Sequence, residues 1–220
     1  MGYDAIIFDN DGVLIDVNAG GEERRKQRIR SMYRRMGLDQ VPDDYIEAAR
    51  HRQMDRVQQI CQQHNIDPDE FWQYREQDAY HFQKQQIQRG EKDLYPDFDA
   101  VKHLARRYGT GIVSNNQQQT IDFIIDHFQL HNLFQTAYGV HPSHEGVKKR
   151  KPNTYYLNLA LADLGTRNVL YVGDSETDMK AAERAGLDAA FLRREHRANY
   201  RLETDPDLEV RTLQELFKHL

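Results

Sequence analysis

The chain of 220 residues has little cysteine and no long hydrophobic run, and both absences restrict what it can be. Its single cysteine, Cys61, excludes an intrachain disulfide and any metal cluster built from several cysteines. No segment approaches the roughly 20 apolar residues that a membrane-spanning helix needs. The first residues predict a strand rather than a signal peptide. We therefore expect a cytoplasmic protein that binds no membrane.

The chain also lacks an excess of positive charge, since its formal net charge is -5 and its isoelectric point is about 6.1. This balance argues against a protein that binds nucleic acid through its overall charge. Hydrophobic residues make up 39% of the chain, which is enough for a core although the mean hydropathy, -0.87, is low. The length fits one large domain, or a core domain with a smaller insert, as a monomer or homodimer.

The order of the predicted elements divides the chain into an α/β part and an all-helical insert. An apolar run at 4–8 predicts a buried strand of a parallel sheet. Between about 20 and 90 the pattern is helical only, and further along strands and helices alternate, as in a parallel sheet with right-handed crossovers. The predicted insert helices cover 22–37, 43–64 and 68–89; later strands cover 110–114, 136–138, 168–173 and 188–192, and later helices 97–107, 117–128, 153–164, 177–185 and 212–220.

Polar side chains follow three of the predicted strands at the point where each strand ends. The segments are "FDNDG" at 8–12, "IVSNN" at 112–116 and "YVGDSETD" at 171–178. Ligands bind beyond the carboxyl ends of parallel strands, so these segments are expected to meet. Taken singly, each has a simpler explanation: Asp11-Gly12 is also typical of a hairpin turn, the other two of helix N-caps, and the basic run at 148–152 of a solvated loop.

Taken together and in this order, four motifs resemble those of the haloacid dehalogenase superfamily of phosphotransferases. The resemblance spans nearly the whole chain and, with the helical insert, is similar to phosphoglycolate phosphatases and β-phosphoglucomutases. It implies a Rossmann-like parallel-sheet core domain at 1–16 and 93–220 and an inserted all-α cap domain at 17–92, with hinges near 16–21 and 90–96. The four motifs are Asp9-Asn10-Asp11-Gly12, Ser114-Asn115, Lys151-Pro152 and Gly173-Asp174 through Asp178.

The resemblance implies that the acidic residues act on a phosphate ester with the help of Mg²⁺. Asp9 would be the nucleophile that forms an aspartyl-phosphate, and Asp11 the general acid and base. Asp9, the backbone carbonyl of Asp11, and Asp174 would hold the ion, because oxygen ligands favour a hard cation. Two unit charges 4 Å apart repel by about 4 kcal/mol at an effective dielectric of 20, so clustered carboxylates need such a cation before a phosphate can enter.

The remaining motif residues would hold the phosphoryl group. Ser114, Asn115 and Lys151 are expected to bind its oxygens and stabilise their charge. Lys148 and Lys149 are alternatives to Lys151, which is preferred because it directly precedes Pro152. Asp178 is expected in a supporting role, acting through water or by orienting Lys151. Asn10 departs from the family pattern, which often has an apolar residue there.

The expected function is a Mg²⁺-dependent phosphatase for a small phosphorylated metabolite, phosphoglycolate-like or sugar-phosphate-like. A phosphomutase of the β-phosphoglucomutase type stays open, because nothing in the cap excludes it. A non-catalytic binding or regulatory module with the same fold is a further alternative, against which the complete set of catalytic residue types argues. The cap indicates little about the substrate: six arginines could meet an anion, although each is more often on a solvated face, namely Arg24, Arg25, Arg28, Arg50, Arg52 and Arg56.

Overall fold

A six-stranded parallel sheet forms the centre of the computed structural model, which describes residues 2–17 and 21–220. The strand order is β3-β2-β1-β4-β5-β6, and every neighbouring pair is parallel. The predicted α/β class is confirmed, whereas the hairpin alternative at Asp11-Gly12 is wrong because β1 pairs in parallel with β2 and β4. The strands are β1 Ala5–Phe8, β2 Gly109–Gln117, β3 Thr136–Val140, β4 Val169–Gly173, β5 Asp188–Leu192 and β6 Leu208–Val210.

Four helices lie between residues 22 and 88 of the described part of the chain. The longest helix, at 68–88, starts where its sequence predicts. The Asp67 side chain accepts hydrogen bonds from two N–H groups of the first turn, and Pro68 fits the first helical position because proline has no N–H group that would need an acceptor. The single helix predicted over 43–64 is wrong, since the chain turns at Arg52, where φ is 51°. The helices are α1 Glu22–Arg35, α2 Asp43–Arg50, α3 Met54–His64 and α4 Pro68–Gln88.

The later helices cover the two faces of the sheet. The predicted C-terminal helix is a 3₁₀ segment instead, and neither α7 nor β6 was predicted, because both are too short to show a clear period. The elements are α5 Asp99–Leu104, α6 Gln118–His127, α7 His144–Lys148, α8 Tyr155–Leu164 and α9 Glu176–Ala185, with 3₁₀ segments at Glu195–Arg197 and Leu213–Lys218.

Alternate side chains of β1 reach two hydrophobic layers. Ile6 and Phe8 pack on the side of α5 and α6, and Ile7 packs on the side of α8 and α9, whose layer continues into the helical insert. The predicted domain boundaries stay a prediction, and the first predicted hinge, 16–21, includes residues outside the described part. Among the described helices, none combines the length and apolar character required to cross a membrane.

Candidate active site

The carboxyl ends of β1, β2 and β4 meet around a cavity of about 240 Å³. Parallel strands point the same way, so residues at their ends converge on one edge of the sheet. Three carboxylates, from Asp9, Asp174 and Asp178, each offer an oxygen within 4.8 Å of the others. Of the residues predicted from the motifs, those lining the cavity are Asp9, Asp11, Ser114, Asn115, Lys151 and Asp174.

Lys151 is the buried cation of this cluster. Its Nζ lies 2.9 Å from Asp9 Oδ1 and 2.6 Å from Asp178 Oδ1. The same ammonium donates to the Val113 carbonyl at 2.9 Å and to the Tyr171 hydroxyl at 2.7 Å. Burial opposes the charged amine, but Asp178 and Asp9 outweigh it and raise the pKa of Lys151 above its usual value. Lys151 therefore stays charged where it faces the carboxylates.

The two neighbouring lysines point elsewhere. Lys148 forms an ion pair with Glu145 at 3.0 Å, and Lys149 lies over the Tyr155 ring at 4.3 Å. Of the three candidate lysines, the one beside Asp9 is therefore Lys151.

Asp9 is buried at the end of β1 in an environment that disfavours its charge. Burial raises the pKa of Asp9, Asp178 and Asp174 raise it further, and Lys151 offsets only part, leaving a value of about 8. Its Oδ1 pairs with Lys151 but has no directed hydrogen bond. A buried carboxylate oxygen without such a bond, next to two more acids, fits a hard divalent cation. The residues present thus suit Mg²⁺.

Asp174 receives two donors that the motifs did not indicate. Its Oδ2 lies 2.9 Å from Nε of Arg197 and 2.8 Å from Nε2 of His196, both in the 3₁₀ segment after β5. Gly12 faces the same carboxylate with a φ of 80°, and a Cβ at this position would overlap it. The motif therefore needs glycine here for both backbone conformation and space.

Asp11 belongs to a closed ring of four side chains. Its Oδ1 lies 2.5 Å from Lys92 Nζ, and its Oδ2 accepts from Nδ2 of Asn116 at 2.7 Å. Gln83 of α4 joins the two partners, because its Oε1 accepts from Lys92 at 2.9 Å and its Nε2 donates to Asn116 Oδ1 at 2.8 Å. A side chain of the helical insert thus helps to orient Asp11.

Asn115 and Asp178 both act on Lys151. Asn115 Nδ2 donates to the Lys151 carbonyl at 3.1 Å, and its Oδ1 accepts from the Lys151 N–H at 2.8 Å. The Asn115 side chain thus holds the lysine loop, and the role of Asn115 in binding phosphoryl oxygens stays a prediction. Asp178 Oδ2 also accepts from the Ser175 N–H at 3.1 Å, which fixes the start of α9. Ser114 Oγ accepts from the Asn116 N–H at 3.2 Å.

Six residues of the site were missed from the sequence. Asn116 and Tyr171 carried a signal, since one directly follows a motif and the other lies two residues before Gly173 on the same strand face. The remaining four lie in segments without a motif. The six are Gln83, Lys92, Asn116, Tyr171, His196 and Arg197.

Comparison with known proteins identifies the family. The chain matches the model described as haloacid dehalogenase-like hydrolase over residues 6–192. A phosphoglycolate phosphatase from Rhodobacter capsulatus is 30% identical over 193 residues, which cover 83% of this chain and 81% of that relative. The chain therefore belongs to the haloacid dehalogenase-like hydrolase family, and the resemblance seen in its four motifs is confirmed.

Other relatives match over a shorter span or in fold alone. A phosphoglycolate phosphatase from Cereibacter sphaeroides is 36% identical over 101 residues, 45% of this chain, and the match spans only 44% of that relative. The solved structure of CbbY from Rhodobacter sphaeroides in complex with phosphate has a TM-score of 0.69 at 17% identity, covering 98% of this chain and 96% of that one. YfnB from Bacillus subtilis bound to magnesium has a TM-score of 0.61 at 19% identity, covering 99% and 98%. Both structures share the fold.

Proposed function

We propose that the protein is a Mg²⁺-dependent phosphatase that hydrolyses a small phosphorylated metabolite through an aspartyl-phosphate intermediate. The observation that carries this proposal is the buried pair of Asp9 and Lys151, 2.9 Å apart, beside two further carboxylates. A carboxylate nucleophile facing a fixed cation is what phosphoryl transfer requires. The relatives named phosphoglycolate phosphatase support the same reaction class.

The proposed reaction has two displacements at phosphorus. In the first, a carboxylate oxygen of Asp9 attacks phosphorus, the bond to the ester oxygen breaks, and Asp11 gives its proton to the leaving alkoxide. In the second, Asp11 takes a proton from water, whose oxygen attacks the aspartyl-phosphate and breaks the bond to Asp9. Phosphate leaves, and both residues return to their starting states. The side chain of Asp11 is 32% exposed and lines the cavity, so it is open to both leaving group and water.

Other residues would hold the phosphoryl group during both steps. The Lys151 ammonium, kept charged by Asp178, would neutralise the phosphoryl oxygens, and Ser114 would contribute its hydroxyl. Asp9, the backbone carbonyl of Asp11, and Asp174 would hold Mg²⁺, which when bound neutralises the carboxylates and polarises the phosphoryl group. The ring of Asp11, Lys92, Gln83 and Asn116 would keep the acid and base in position.

The experiment is phosphate release from 2-phosphoglycolate, sugar phosphates and p-nitrophenyl phosphate. We expect release with Mg²⁺, none with EDTA, and recovery when Mg²⁺ is added back. Asp9→Asn should lower kcat by more than about a thousandfold, because an amide cannot attack phosphorus. Asp99→Asn, at an exposed residue paired with Lys102, is the matched control. Near-normal turnover by Asp9→Asn would remove the nucleophile from the proposal, and activity in EDTA would remove the metal.

A further inference from the structure

A second cavity, of about 270 Å³, lies between the helical insert and the catalytic cavity. The two cavities share Asp11, Val17, Arg52 and Asn116 in their walls. They therefore adjoin, with the proposed nucleophile in one and helices α1, α2 and α4 lining the other. A ligand bound at Asp9 and longer than a phosphoryl group would have to pass these shared residues to reach the second cavity.

Positive charge dominates this second cavity, although the whole chain carries a net charge of -5. Only two carboxylates, those of Asp11 and Asp78, line it among the described residues. Six cations thus face two carboxylates in the wall, and the two acids that pair most closely with these cations from outside the wall, Glu76 and Glu47, reduce the excess to about two positive charges. This excess is still more than a single carboxylate on a ligand would neutralise. The lining cations are Arg25, Arg28, Arg50, Arg52, Arg75 and Lys92.

Three of the arginines are held by acids from α4. Arg28 donates to Asp78 through Nε at 2.9 Å and Nη2 at 2.5 Å. Arg52 and Arg75 share Glu76, at 3.0 and 2.6 Å. Burial of Glu76 favours its neutral form, but the two guanidinium groups outweigh burial and lower its pKa to about 2. One carboxylate thus fixes two guanidinium groups at the cavity wall.

Two further arginines keep donors that no acid uses. Within the described residues, no carboxylate lies at ion-pair distance from Arg25, which is exposed at the cavity mouth, and partial desolvation with Arg50 and Arg28 nearby lowers its pKa. Arg50 pairs with Glu47 at 3.0 Å through Nη1 and with Glu22 at 3.4 Å through Nη2, but its Nε is buried without a hydrogen-bond partner. A buried unpaired donor is costly, so the Nε of Arg50 indicates a ligand that completes it.

We propose that the substrate is a bisphosphate, whose second phosphate binds in this cavity against Arg25 and Arg50. The inference rests on the proposed phosphatase function and names the class of its substrate. A phosphate dianion matches the excess charge better than a carboxylate does, and guanidinium groups bind phosphate oxygens in pairs. Arg28, Arg52 and Arg75 then act as fixed positive charges around it.

The first test compares kcat/KM for fructose 1,6-bisphosphate, fructose 6-phosphate and 2-phosphoglycolate in the presence of Mg²⁺, with propane-1,3-diol bisphosphate and its monophosphate as a shorter pair. In each pair the kcat/KM of the bisphosphate should exceed that of the monophosphate by at least about tenfold, because the second phosphate gains charge-assisted hydrogen bonds to the two arginines. The double variant Arg25→Ala/Arg50→Ala should reduce that ratio at least about tenfold. Arg24→Ala, on the same helix but outside the cavity wall, should leave the ratio unchanged.

The second test separates this inference from the proposed reaction. Calorimetric titration of the Asp9→Asn protein with the same pairs measures binding without turnover, and thermal melting checks that each variant is folded. The cavity assignment is supported if the bisphosphates bind more tightly than the monophosphates and if this difference disappears when the two arginines are also replaced. This result would support the assignment even if the wild type released no phosphate. Equal affinity within both pairs, or preference for 2-phosphoglycolate, overturns the bisphosphate assignment and leaves the proposed hydrolysis standing.

Discussion

The catalytic cavity and the arginine-lined cavity adjoin, yet their charges balance differently. In the first, the strand-end carboxylates cluster around the buried Lys151, and two arginines of its wall, Arg52 and Arg197, add further positive charge. In the second, guanidinium groups from the insert helices outnumber the acids of the wall. Carboxylates thus remain clustered in the first cavity, whereas the second keeps an excess of positive charge. A ligand that spans both needs negative charge in the second cavity, and the first needs a cation before it accepts a phosphate.

The two cavities also differ in how their charged groups are held. Lys151 and Asp178 are fully enclosed and bonded to strand residues, so the sheet sets their geometry. Arg25 lies at an exposed position of α1, and within the described residues no carboxylate pairs with it. We infer that the sheet determines the reaction, and that the insert determines which ester reaches it. The following variants test this difference between the sheet and the insert, in order of decreasing effect.

Asp11→Asn should have the largest effect, on the catalytic side alone. The amide keeps the size of the side chain but cannot give or take the proton, so kcat for an alkyl phosphate should fall by about 10²–10⁴-fold. Steady-state phosphate release measures this change. Asp16→Asn is the control, because this residue is on the same segment and lines neither cavity. A loss shared by the control would point to a disturbed loop rather than a lost proton donor.

Glu76→Gln should disturb the positions of the arginines that line the second cavity while leaving Asp9 and Lys151 in place. It removes the charge that balances Arg52 and Arg75, and breaking a buried ion pair costs about 3–5 kcal/mol of unfolding free energy. Urea unfolding measures the loss. Glu70→Gln, at an exposed position of the same helix, is the control and should change stability little. Equal stability of Glu76→Gln and wild type would contradict the assignment of Glu76 as the common anchor.

The lowered pKa of Glu76 predicts how the free energy of unfolding depends on pH. Because the folded-state pKa of Glu76 is about 2, below its ordinary 4.5, its ionised form contributes stability that is fully present above 4.5. This contribution is lost as the pH falls through 4.5 toward 2. The wild type should therefore lose more stability over this range than Glu76→Gln does, and parallel pH profiles would contradict the ion-pair explanation.

The catalytic side was largely predictable because its residues follow strands. Burial gives strands a continuous apolar pattern, so their ends can be located, and parallel ends must meet. Asp9 and Asp174 were predicted in this way and by resemblance, whereas Lys151 was predicted from the resemblance and from Pro152, which directly follows it. His196 and Arg197 were missed although they follow β5, because the segment after that strand contains no known motif.

The insert was less predictable, since helical periodicity identifies a buried face but not which polar residues share a cavity. Four of the six arginines considered from the sequence line the cavity, whereas Arg56 pairs with Asp44 at 2.6 Å and Arg24 lies outside. Arg75 was not considered, because nothing in the sequence of α4 indicates that Glu76 is buried between two guanidinium groups. The break at Arg52, which turns that side chain toward both cavities, has no clear sequence signal either.

Gln83→Ala should have the smallest effect, because it alters only the connection between the two regions. Gln83 belongs to the insert and joins Lys92 to Asn116, the two partners of Asp11. Removing the two hydrogen bonds of Gln83, one of them from the Lys92 ammonium, should raise the barrier by only about 1–1.4 kcal/mol, because Asp11 keeps its own bonds to Lys92 and Asn116. This corresponds to a fall of about five- to tenfold in kcat. KM should change little, since the side chain does not bind the phosphoryl group in the proposed reaction.

The control for this variant is Gln85→Ala, at an exposed position on the same helix. A purely structural role for Gln83 predicts a lower melting temperature with kcat unchanged, whereas positioning of Asp11 predicts the reverse. If kcat stays at the wild-type value in Gln83→Ala, the insert does not act on the acid and base. The two cavities would then be linked only by the substrate that spans them.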